Sequence, residues 1–86
     1  MPEISRFYGL RITMYHNDHV PPHFHVRHSG KKAIIGINPV MLIGGSIPAR
    51  AVGLAIEWAL KHQQELLENW EKAQSNRPLA KIAPLE

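Results

Sequence analysis

His23-Phe24-His25-Val26-Arg27-His28-Ser29-Gly30-Lys31-Lys32-Ala33-Ile34-Ile35-Gly36-Ile37 is the stretch on which the reading of the fold turns. His23 to His28 alternates polar and apolar residues, which is the period of a strand with one face buried. Ser29-Gly30 is a tight-turn signal, and Lys32 to Ile37 is rich in β-branched residues, so the segment reads as a β-hairpin. Working backward, Phe7 to Tyr15 has apolar residues at every even position from Tyr8 to Met14 and reads as a single strand. Asn17 to Pro22 interrupts it, because neither Pro21 nor Pro22 can donate to a ladder. Working forward, Asn38-Pro39 opens a turn, Val40 to Ile43 is a short fourth strand, and Gly44-Gly45 ends it.

Beyond Pro48 the period changes to that of a helix. Val52, Ile56, Ala59, Gln63, Leu67 and Trp70 recur at spacings of three and four, with Glu57, Lys61, Glu65, Glu68 and Lys72 largely off that face. Ser46 is the expected cap and Pro48 suits the first turn. A helix over 48–74 would be ~40 Å long at 1.5 Å per residue. Asn76 to Glu86, with Pro78 and Pro84, reads as an extended arm carrying Leu79, Ile82 and Leu85. The expected fold is therefore α+β: a small antiparallel sheet of three or four strands, then one long C-terminal helix and an extended arm. One domain over 1–86 is divided into a sheet part (1–45), the helix (46–75) and the arm (76–86).

Composition narrows the class. An apolar fraction of 44% with 20% charged residues belongs to a folded globular chain, not a disordered one. There is no cysteine, no apolar leader behind a basic start, and no apolar run near the roughly 20 residues a membrane span needs. A cytoplasmic protein without a membrane partner is the expectation. The net charge of +3 is placed unevenly. Residues 1–32 hold five Lys/Arg against two acids, whereas residues 33–86 hold five of each sign.

The concentrated chemistry lies between His16 and His28, where five of the six histidines fall together with Asp18. Imidazole and carboxylate bind transition metals such as zinc and move protons near neutral pH. On a strand, His23 and His25 share a face, with Arg27 after them, while His28 points the other way. The proline-stiffened loop can bring Asp18 and His19 over that face. Asp18, His19, His23 and His25 are thus the candidate catalytic or metal-ligating set, with His16 and His28 as accessories. Histidines that only bond backbone carbonyls or stack on Phe24 or Tyr15 are the plain alternative. The run His23-x-His25-x-Arg27 differs from the His-x-His-x-His strand of histidine-triad nucleotide hydrolases at its third position, and no glycine-lined nucleotide pocket accompanies it. No serine has a nucleophile motif and no glycine loop matches a P-loop. Gly44-Gly45 with Arg50 reads as a turn ahead of the helix, and Trp58 and Trp70 as core or interface anchors.

Ile4-Ser5-Arg6-Phe7-Tyr8-Gly9, Asn17-Asp18-His19-x-Pro21-Pro22-His23-Phe24-His25, Glu57-Trp58, Glu65-Leu66-Leu67-Glu68-Asn69-Trp70 and Pro78-Leu79-x-Lys81-Ile82-x-Pro84-Leu85 together resemble the bacterial domain-of-unknown-function 4160 family. The resemblance spans nearly the whole chain, and the Asp-His-x-Pro-Pro-His-Phe-His run is its most specific part. It implies a small protein often encoded beside another small protein, an arrangement of the toxin–antitoxin-like or regulatory kind. It places Asp18, His19, His23 and His25 on the family motif and His16 and His28 off it.

Three functions compete. A toxin-like component acting on RNA needs Arg11, Arg27, Lys31 or Lys32 on the histidine face. A non-enzymatic protein-binding module, or a homodimer through the long helix and C-terminal arm, needs an exposed apolar stripe. A metal-dependent hydrolase needs three ligands around one divalent ion.

Overall fold

A computed structural model describes residues 3–86; Met1 and Pro2, which open the expected domain, lie outside the described residues. The chain runs β1 (Glu3–Phe7), β2 (Leu10–Thr13), β3 (His23–His28), β4 (Lys31–Ile37), β5 (Val40–Gly45), α1 (Ala49–Lys61) and α2 (Gln63–Gln74). The sheet is an antiparallel meander in the order β1-β2-β3-β4-β5.

Two expectations need correction. The sheet has five strands rather than three or four, because Tyr8 and Gly9 fold the first segment back on itself. Both residues take positive φ, 48° and 79°, the geometry of a two-residue hairpin turn. Tyrosine rarely adopts that region, and the apolar alternation from Tyr8 to Met14 ran through the turn without marking it. The hairpin at Ser29-Gly30 uses the same device, with φ of 49° and 79°. The single long helix is instead two helices, α1 and α2, broken at His62, whose φ of −123° is not helical. No glycine or proline stands at 61–63 and the buried stripe continues across the break, so residue type and spacing did not mark it. The helix cap also differs from expectation: Pro48 precedes α1 with no side-chain cap, and the Ser46 amide donates to the Lys32 carbonyl at 2.9 Å.

One face of the sheet is the core. Leu10, Ile12, Phe24, Val26, Ala33, Ile35 and Ile37 are fully buried under the helices. Ala51, Ala55 and Ala59 let α1 lie close to the strands, and Trp58 fills the centre, packed on Phe7 and Phe24 at ring separations of 5.4 and 5.6 Å. The arm folds back on its own chain. Ile82 donates its amide to the Ile4 carbonyl at the β1 edge (2.8 Å), and Trp58 donates its indole N–H to the Ala83 carbonyl (2.8 Å). Ile82 and Leu85 are buried and Leu79 packs beside them, so the surface expected to receive a partner is largely occupied within the chain. Exposed apolar side chains lie instead on β5, at Met41, Leu42 and Ile43, and at Leu60 on α1.

Asn69 holds the arm to α2. Its side chain, 1% exposed, donates to the Ala80 carbonyl (2.8 Å) and accepts from the Ala80 amide (2.9 Å). Asn69→Ala strands both backbone groups and is expected to cost roughly 2–4 kcal/mol. Urea denaturation reads the loss, and faster tryptic cleavage after Lys81 reads release of the arm.

Candidate functional site

The face of the sheet turned away from Phe24 and Val26 carries the polar residues of the middle strands, and α2 reaches its His23 end through Trp70. His23, His25 and Arg27 project from β3 on that face, because Phe24 and Val26 between them are committed to the core. The loop between β2 and β3 then returns over the first two. It is tied to the far end of α2: the Asn17 amide donates to the Ala73 carbonyl (3.2 Å), and the Gln74 side chain donates to the Asp18 carbonyl (3.1 Å). Asn17 sits at φ 57°, a region asparagine tolerates, and this turn directs the Asp18 carboxylate toward the strand.

Asp18 is the hub. Its Oδ1 accepts the His19 amide at 2.8 Å. Its Oδ2 faces the Nε2 atoms of His23 at 2.9 Å and of His25 at 3.1 Å. His23 is 8% exposed, with its ring 5.2 Å from that of His25 and 5.2 Å from Trp70. His25 is half-buried, with Tyr15 edge-on at 4.5 Å. The ligand atoms of Asp18, His23 and His25 all lie within 4.8 Å of one another.

Hydrogen-bond accounting at His23 is the informative detail. Its Nδ1 lies 2.7 Å from the Pro21 carbonyl oxygen, which can only accept, so Nδ1–H donates there. A neutral His23 therefore turns the Nε2 lone pair toward Asp18 Oδ2, another acceptor. Two acceptors at 2.9 Å require a cation between them, either a proton on Nε2 or a metal ion.

The Asp18 carboxyl is held below its ordinary pKa: burial raises it, but hydrogen bonds from His25, the His19 amide and His23 together outweigh that. A depressed folded pKa means that Asp18 contributes stability above its unfolded value, about 3.9, and loses it as pH falls through the folded value. The melting-temperature gap between wild type and Asp18→Asn is expected to be full at pH 6 and to close progressively below pH 4. A gap that is constant across that range contradicts the assignment.

Of the four candidates the site brings together Asp18, His23 and His25. The fourth, His19, contributes its amide, while its exposed ring is not part of the cluster. His16 bonds the Arg77 carbonyl through Nε2 (3.0 Å). His28 lies on the other side of β3 beside Gly9, its buried Nδ1 without a partner among the described residues. The Pro21 carbonyl and Trp70 escaped the sequence reading, since neither a backbone oxygen nor a tryptophan 47 positions from His23 leaves a local signal.

The basic residues also fall into place. Arg27 stands directly opposite Arg11 on β2 and Lys32 on β4, and Arg11 in turn stands opposite Arg6 on β1. Four cations thus cross the sheet in one row on the histidine face, with Arg6 bonded to Glu3. Lys31 is at the adjoining turn and, with Arg11 and Arg27, lines a shallow depression of about 300 Å³. Arg11 pairs with Glu3 at 3.3 Å; among the described residues no acid pairs with Arg27, Lys31 or Lys32.

Among the described residues no helix is long and apolar enough to cross a membrane. The family model described as Domain of unknown function (DUF4160) matches residues 9–71. No curated protein and no solved structure matches the chain.

Proposed function

This chain belongs to the DUF4160 family of domains of unknown function, and from that premise we propose that Asp18, His23 and His25 form a divalent transition-metal centre of the hydrolytic kind. The observation that carries the reading is the hydrogen bond from His23 Nδ1–H to the Pro21 carbonyl. Metal-ligating histidines characteristically donate their second ring nitrogen to such a carbonyl, which fixes the tautomer and aims the other lone pair at the ion. Separations of 2.9 and 3.1 Å leave room for one ion about 2.0–2.2 Å from each atom. Two imidazoles and one carboxylate suit zinc and its neighbours, and three protein ligands leave positions for water and a substrate oxygen. A bound ion would acidify that water and polarise the substrate. The chain's own part is to fix the ligands: the carbonyl orients His23, the His19 amide holds the idle carboxylate oxygen, and the loop anchored to α2 keeps Asp18 over the strand.

The test is calorimetric titration of zinc or nickel into protein purified without a histidine tag. One ion per chain is expected, with Trp70 fluorescence changing in step because its ring touches His23. Asp18→Asn and His25→Gln are each expected to weaken binding by more than ~100-fold, beyond the range of an outer-shell loss. A protein that takes up no metal at millimolar concentration, or an Asp18→Asn variant that binds like wild type, leaves a proton-bridged His/Asp pair as the correct description.

A further inference from the structure

We infer that the substrate class of this site is the phosphodiester backbone of a nucleic acid, held by the row Arg11–Arg27–Lys32; the inference rests on the metal reading only for what happens at the histidine end of the face. The row and the cluster share one surface of the sheet. His25 and Arg27 are alternate residues of β3, so about 6.7 Å of strand separates them. The three cations span two inter-strand gaps, roughly 10 Å. A chain of phosphates lying on the row thus continues over the imidazole pair.

Two features single this row out from ordinary charge scatter. Like charges placed directly opposite in a sheet repel, and here two such pairs meet at Arg27. Intramolecular neutralisation is also incomplete. Of the acids in the sheet half, Glu3 bonds Arg6 and Arg11, and Asp18 is committed to the histidines, while Arg27 and Lys32 keep no acidic partner among the described residues. Of the helix acids, Glu57 pairs with Lys61 and Glu65 with His62, and among the described residues neither Glu68 nor Glu71 forms an ion pair with the row. A polyanion supplies the missing counter-charge and relieves the repulsion as it binds. A single free phosphate would meet only part of the row, which favours an extended ligand.

Fluorescence anisotropy with 5′-labelled single-stranded RNA and DNA 12-mers, in EDTA so that no metal contributes, tests the inference. Saturable binding is expected, with a log–log salt slope near −2 from three phosphate contacts at ~0.7 each. Arg27→Gln is expected to weaken binding at least fivefold and flatten the slope by ~0.7. Lys61→Gln removes one charge from α1, far from the row, and should change affinity less than twofold. Zinc titration of the wild-type chain reads the metal centre and anisotropy in EDTA reads this surface, so failure of the one and failure of the other are distinguished. Preference between RNA and DNA identifies the source, and either supports the assignment. The inference is overturned by no binding at 50 mM salt, by equal losses in Arg27→Gln and Lys61→Gln, or by tighter binding to phosphatidylserine vesicles than to either oligonucleotide.

Discussion

Trp58→Ala is expected to leave the chain largely unfolded at 37 °C. Trp58 is fully buried between Phe7 and Phe24, and it joins the sheet, α1 and the arm, the last through its bond to the Ala83 carbonyl. Truncating such a side chain costs ~3–5 kcal/mol in cavity and transfer terms, and the stranded Ala83 carbonyl adds to that. A domain of this length has in all about 4–13 kcal/mol at roughly 0.05–0.15 kcal/mol per residue. Circular dichroism and urea titration measure the effect. Trp58→Phe keeps most of the volume and loses the hydrogen bond, so its cost should fall well below that of alanine. A loss under about 1 kcal/mol for Trp58→Ala would contradict this account of the core.

Gly45→Ala should be nearly as damaging, for a different reason. Gly45 has φ +81°, and a Cβ there would stand 2.5 Å from the Lys32 carbonyl oxygen and 2.6 Å from the Ala33 Cα. Both are backbone atoms of β4, fixed by pairing with β3 and by the Ser46 amide bonded to that same oxygen. Relief requires opening the end of the β4–β5 ladder. Overpacking together with the forbidden φ is expected to cost ~2–4 kcal/mol, a fall in melting temperature of roughly 10 °C or more for a domain this size. Gly44 is the internal control: nothing lies within 4 Å of its Cβ position, and Gly44→Ala should be close to neutral.

The hairpin of β3 and β4 was legible because burial on one face writes a period of two into the residues, and Ser29-Gly30 supplied the φ > 0 positions the turn requires. The first hairpin was not, because its turn falls on Tyr8, an apolar side chain that kept the strand pattern intact while the backbone reversed. The break at His62 left no trace for a related reason: the stripe through Ala55, Ala59, Leu66 and Trp70 stays in phase across it. Among the site residues, His23 and His25 followed from alternation and Asp18 from the short, proline-stiffened loop. His19 did not follow, since its own amide is captured by Asp18 and the ring is left outside. The orienting carbonyl and the tryptophan against His23 come from tertiary structure alone.

The meander has a consequence for the order of events during synthesis. Every strand pairs with its neighbour in the chain, so the sheet is built from short loop closures of the kind that form quickly. All five strands are complete before Ala49, the first residue of α1, has been added. The apolar face of Phe24, Val26 and Ile35 is therefore made without α1, and it stays bare until Trp58 and the alanines of α1 dock on it. A released chain cut short before Ala49 carries all five strands and nothing to cover that face, the form of this chain most exposed to aggregation.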